Sequence, residues 1–121
     1  MTKKHLDLLR IWRALFHSLR GLKIALFTEP AFLQNTLFVA ALIAVAAGFG
    51  VKGAYWYWLL AASLLLLIVE LLNSAIESVV DLMTQEYHPL AGRAKDMASA
   101  AVFLSILHAV IAFGCSLWSV G

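Results

Sequence analysis

From residue 31 onward the chain alternates long apolar runs with short polar interruptions. Ala31 to Gly50, Ala54 to Leu72 and Met97 to Trp118 are each close to the roughly 20 apolar residues needed to cross a bilayer as a helix. Thr28, Glu29 and Pro30 precede the first run as a helix-start signal, with Thr as cap and Pro in the first turn, where its missing N–H is not needed. Gly48, Gly50 and Gly53 around Lys52 predict a tight turn that sends the second helix back antiparallel. Its start at Tyr55, Trp56, Tyr57 and Trp58 is an aromatic cluster of the kind found at bilayer edges. The second helix continues past Leu72 to about residue 82, out of the hydrocarbon. The stretch from Thr84 to Lys95, with Pro89 and Gly92, reads as a loop or short break. Ahead of the three crossings, residues 5–27 form an amphipathic pattern: Lys3, Asp7, Arg10, Arg13, His17 and Arg20 lie on one side at about 100° per residue, opposite a Leu- and Trp-rich face. Such a helix lies in the headgroup plane, packs on the bundle, or does both. The expected fold is an all-α membrane protein of one surface helix and three transmembrane helices, with boundaries 5–27, 31–50, 54–82 and 97–118.

Composition agrees with this. The 121 residues are 63% hydrophobic and 13% charged, against roughly 45–50% apolar in soluble domains, and no length remains for a separate catalytic domain. Mean hydropathy is +0.89. The net charge of +2 comes from cations concentrated before residue 24, which suits an anionic membrane surface and not a nucleic acid. Cys115 has no partner for an intrachain disulfide. The first long apolar run comes late and lacks a small-residue cleavage site, so no signal cleavage is expected. Lys3, Lys4, Arg10, Arg13, Arg20 and Lys23 precede the first crossing and Arg93 and Lys95 follow the second, whereas the opposite side carries only Lys52. By the positive-inside rule the N-terminus and the 84–95 segment are cytoplasmic.

Glu70, Asn73, Glu77 and Asp81, spaced 3, 4 and 4, share one face of the second crossing. Glu70 is the informative member, because an ionisable group inside an apolar helix costs about 2.5–3.5 kcal/mol even on a lenient scale. Burial favours its neutral acid, and a carboxylate of that kind can serve as a general base toward a hydroxyl held at the interface. Glu77, with Glu29 at the entry of the first crossing, offers oxygen ligands for Mg²⁺. Lys95, near Arg93, Asp96, Glu86 and His88, can neutralise phosphate oxygens. The set fits phosphoryl transfer but also fits other chemistry, and the stripe could equally be a polar seam between helices. His108 is expected to pack or hydrogen-bond within the third crossing. No Walker-type glycine loop is present. The residues alone support a membrane enzyme or transporter with an interfacial acid site.

ELLNSAIE at 70–77, VVD at 79–81, EYH at 86–88, AGRAKD at 91–96 and SAAV at 99–102 together resemble the prokaryotic diacylglycerol kinase family, in order and over the whole chain. The resemblance implies a homotrimer with active sites shared between subunits, in the bacterial inner membrane, that uses MgATP to phosphorylate diacylglycerol to phosphatidic acid. It implies Glu70 as the base with Asn73 beside it, and Glu29 and Glu77 as metal ligands. Nucleotide contacts fall to Arg10, His17, Glu29, Glu77, Glu86, Tyr87, His88, Lys95 and Asp96. Lipid contacts fall to Ala14, Ser18, Phe32, Leu33, Trp56, Glu70 and Ser99. The chain departs from the family's enterobacterial pattern at His17 in place of Tyr, Asn35 in place of an acid, and Leu19 and Leu26 in place of Trp. Two alternatives stand beside this reading: an undecaprenol kinase of the same family, and a small proton-coupled transporter. Transporter sites lie near the midplane and often repeat in both halves, whereas this acidic cluster lies at one edge of a chain without repeats.

Overall fold

The computed structural model describes residues 7–121, which form four α-helices and no strand: α1 (Leu8–Thr28), α2 (Pro30–Gly48), α3 (Ala54–Met83) and α4 (Pro89–Trp118). Lys3, Lys4 and His5, placed by the sequence at the start of the surface helix, lie outside the described residues. Asp7 is not on the polar face of α1 but is its cap, its carboxylate accepting from the backbone N–H of Leu9 (3.1 Å) and Arg10 (3.3 Å). That satisfies two of the four N–H groups every helix start leaves free. α1 buries only Ala25, and Trp12, Leu15 and Leu19 on its apolar side stay exposed. Within one chain this is a helix with an unused apolar face, as expected of one lying on a membrane.

A single residue, Glu29, separates α1 from α2, and its extended backbone turns the chain. Thr28 is not the cap expected from the sequence. Its hydroxyl bonds back to the Ile24 carbonyl at 2.7 Å, and Glu29 holds the cap position without a side-chain bond, followed by Pro30 in the first turn. α2, α3 and α4 are each long and apolar enough to cross a membrane. Between α2 and α3 the chain reverses through Gly50 and Gly53, whose φ angles of +76° and +67° are open to glycine and costly for other residues. Val51 between them is buried against Ala46 and Leu59.

The expected 84–95 loop is much shorter in the structure, because α4 already starts at Pro89. Pro89 occupies the first turn, where no N–H is required, and His88 caps it through Nδ1, which accepts from the Leu90 N–H at 3.1 Å. The proline that suggests a break thus marks a helix start. α3 and α4 are the main packing pair. The buried positions of α4, Ala98, Ser105, Ala109, Ala112 and Ser116, are all small and let the two backbones approach closely. Trp58 adds a cross-helix hydrogen bond, its indole N–H donating to His108 Nε2 at 3.0 Å, as the polar-partner expectation for His108 required. α2 lies across the pair through Val39, which joins Ala62, Leu66, Ala109 and Ala112 in the core.

Candidate active site

The buried positions of α3 are Leu59, Ala62, Ser63, Leu66 and Glu70. Continued at helical spacing this face runs through Asn73, Glu77 and Asp81, so the polar stripe prolongs the packing seam toward the α3–α4 connection. Glu70 is 2% exposed. Its Oε2 accepts a hydrogen bond of 2.9 Å from the side-chain amide of Asn35 on α2. A hydrogen bond to a charged group contributes about 1.5–3 kcal/mol, which offsets much of the cost of an ionisable group at that depth. One turn on, Asn73 is half-buried and its Oδ1 has no protein partner, leaving an acceptor free for a donor or cation from outside the chain. Glu77 is half-buried, and Asp81 is exposed and accepts from the ammonium of Lys95 on α4. The hydrogen bond to Asp81 raises the Lys95 pKa above the usual lysine value; desolvation opposes it, and the charges of Asp81 and Glu77 reinforce it. The stripe is therefore a polar seam at both ends, with its middle unpaired.

Two concavities flank it. A hollow of about 210 Å³ brings Glu86, Tyr87, His88 and Lys95 together with Asp81 and Gly92. Four residues expected at a nucleotide thus meet in one place. Asp96 and Ser99 are exposed on α4, Ser99 one turn beyond Lys95. A groove of about 570 Å³ between α1 and α3 is lined by Ser18, Leu22, Ala25, Glu29, Ser74 and Ser78. Its lining is mostly apolar, with Glu29 among hydroxyls. Among the described residues no three His, Cys, Asp or Glu side chains stand together. Mg²⁺ is characteristically held by one or two carboxylates together with water and substrate phosphate oxygens, so half-buried Glu29 and Glu77 suit it by donor chemistry.

The chain from residue 16 to residue 117 matches the prokaryotic diacylglycerol kinase family. The chain belongs to this family. It is 44% identical over 110 residues to a diacylglycerol kinase of Escherichia coli strain K12, covering 91% of this chain and 90% of that protein. It is 45% identical over 104 residues to one of Pseudomonas aeruginosa, covering 86% and 85%, and 39% identical over 105 residues to one of Helicobacter pylori strain 26695, covering 87% and 82%.

Other residues that the family resemblance assigned fall apart from these groups. Arg10 and Ala14 are exposed on α1 ahead of the matched span, and His17, also exposed, stands edge-on to Phe16. Phe32 is buried in the bundle and not open to a lipid chain, whereas Leu33 beside it is exposed. Trp56 lies 14 residues before Glu70 on α3, about 21 Å along the axis, and packs against the cluster of Ala46, Val51 and Leu59 at the far end of the bundle. The structure adds Asn35, Ser74 and Ser78. Asn35 is in helical phase with the buried Phe32 and Val39, but α2 is apolar on every side, so its inner face is recognisable only in the structure.

Proposed function

We propose that this chain transfers the γ-phosphoryl group of ATP to the hydroxyl of diacylglycerol at the cytoplasmic face of the bacterial inner membrane, giving phosphatidic acid and ADP. The observation that carries the reading is Glu70, a carboxylate almost wholly covered inside an apolar helix and held by one neutral amide, in a chain of this family. A buried carboxylate at the interface can take the hydroxyl proton as the lipid oxygen bonds to phosphorus and the bond from phosphorus to the ADP oxygen breaks. Glu70 then returns the proton to water. Glu29 and Glu77 would hold Mg²⁺, which would supply positive charge against the phosphate oxygens. Asn73 stands beside the base with its free acceptor. Arg10, His17, Glu86, Tyr87, His88, Lys95 and Asp96 serve the nucleotide, the hollow at Lys95 being its centre.

The lipid lies along α1 and α3, where Ser18 and Glu29 share the groove, with Ala14, Leu33 and Ser99 nearby in the family's scheme. The four helices act as one kinase domain, N-terminus in the cytoplasm, and three copies share their active sites. In support, the groove residues Leu71, Ser74, Ala75 and Ser78 lie about 100° around α3 from the face that carries Glu70, Asn73 and Glu77. Glu29 of one copy and Glu70 of another are thus free to serve one site.

The test is phosphate transfer from labelled ATP with Mg²⁺ in mixed micelles containing diacylglycerol or undecaprenol. Label in phosphatidic acid is expected. Label only in undecaprenyl phosphate would change the substrate, and label in neither would return the chain to the transporter class.

A further inference from the structure

Glu70 carries three side-chain torsions and sits at the edge of the hydrocarbon, so something must fix the direction of its carboxylate if it is to meet a lipid hydroxyl. We infer that Asn35 is a positioning residue for Glu70, its amide tying Oε2 so that Oε1 is the oxygen presented to the substrate. This rests on the proposed role of Glu70 as base. The bond is 2.9 Å long, and among the described residues no other group donates to the Glu70 carboxylate. The face of α2 that carries half-buried Asn35 is packed into the bundle, with Phe32 and Val39 each 5% exposed.

The neighbouring charges leave this task to Asn35 alone. α2 contains no charged side chain, and Glu29 lies six residues before Asn35. On α4 the cation of Lys95 pairs with Asp81, and on α3 the next carboxylate, Glu77, is two turns away. A lysine in place of Asn35 would cancel the charge of the base. A neutral amide orients the carboxylate and leaves its charge available. After Oε1 has taken the hydroxyl proton, Oε2 is the carbonyl oxygen of the neutral acid and still accepts from the Asn35 amide. One side chain therefore partners the base before and after proton transfer. In a low-dielectric site such a bond is stronger than at a surface, and a lost partner costs more.

The experiment compares Asn35→Leu, which keeps the bulk and removes the donor, with Asn35→Ala, which cannot overfill the site, and Asn35→Gln, which keeps an amide. Steady-state kinetics in diacylglycerol micelles are paired with infrared spectra of the resting protein without nucleotide. The Glu70 carboxylate bands are those missing from Glu70→Gln. Expected are displaced Glu70 bands in Asn35→Leu and Asn35→Ala, kcat lower by roughly 10- to 100-fold, KM for ATP and lipid within about twofold, and partial recovery of both in Asn35→Gln. Unmoved bands, or an unchanged kcat in Asn35→Leu while Glu70→Gln is inactive, overturn the role of Asn35 alone. An active Glu70→Gln removes the base assignment, and the positioning role falls with it.

Discussion

Glu70 and Glu77 stand two turns apart on one face of α3 in different surroundings, the first 2% exposed and bonded to Asn35, the second half-buried and nearer water. The proposed division of labour follows from that difference. Glu70→Gln should lower kcat by about 100-fold or more while nucleotide affinity, measured by equilibrium binding with Mg²⁺, stays near the parent value. Glu77→Gln should weaken that affinity, and only when Mg²⁺ is present. Equal loss of affinity in both variants would remove the distinction. Lys95 gives a second prediction. Its pKa is raised in the folded chain, so the stabilisation from its pair with Asp81 is fully present below the unfolded lysine value of about 10.4 and is lost as pH rises through the folded value above it. A resonance of the Lys95 side chain, followed by NMR in micelles, should titrate above the ordinary lysine range and move toward it in Asp81→Asn. The acidic residues of this site were legible because an ionisable group in an apolar run stands out by its cost. The sequence does not mark Asn35 as a partner of Glu70, since an amide in a helix carries no such signal until its partner on another helix is known. The exposed pair of Asp81 and Lys95 depends likewise on how α3 meets α4, which spacing along one helix does not contain.

Helix ends show the same division between local and tertiary information. The three crossings and the glycine turn follow from apolar run length and from φ angles that only glycine adopts freely, and α3 ends within one residue of the expected position. The sequence pattern puts the start of α4 eight residues late because Pro89 and Gly92 look like breakers, although proline in a first turn is favourable. The deciding feature is the imidazole of His88 in the role usually taken by Ser, Thr, Asp or Asn. Replacing His88 by Ala should therefore cost about 0.5–2 kcal/mol, as for other caps, and thermal unfolding in micelles should register a lower midpoint. Backbone exchange should quicken at Leu90 in that variant and not at Leu9, whose N–H is capped separately by Asp7. Uniform exchange changes along α4 would instead mean that the cap contributes nothing local.

At the scale of the whole molecule, one chain covers little of itself. Only 17%, 28% and 22% of the apolar windows of α2, α3 and α4 are buried, so most of each helix must face lipid or another copy. Glu29 lies in a groove on one side of α3, while Glu70 and Glu77 belong to the face turned toward the bundle. If Glu29 of one subunit completes the site of its neighbour's Glu70, two inactive proteins can repair each other. In the proposed trimer, co-expressed Glu29→Gln and Glu70→Gln chains, each without turnover alone, would assemble at random. A site needs an intact Glu29 from one kind of chain and an intact Glu70 from the other, which random assembly supplies in about one quarter of sites in a closed ring. The mixture should thus regain about one quarter of the parent turnover per chain. Sites built within one chain give none, because every chain then carries a defect in its own site. Turnover near one quarter establishes sharing between subunits, and its absence in a mixture shown by cross-linking to contain both chains places Glu29 and Glu70 of the same subunit in one site.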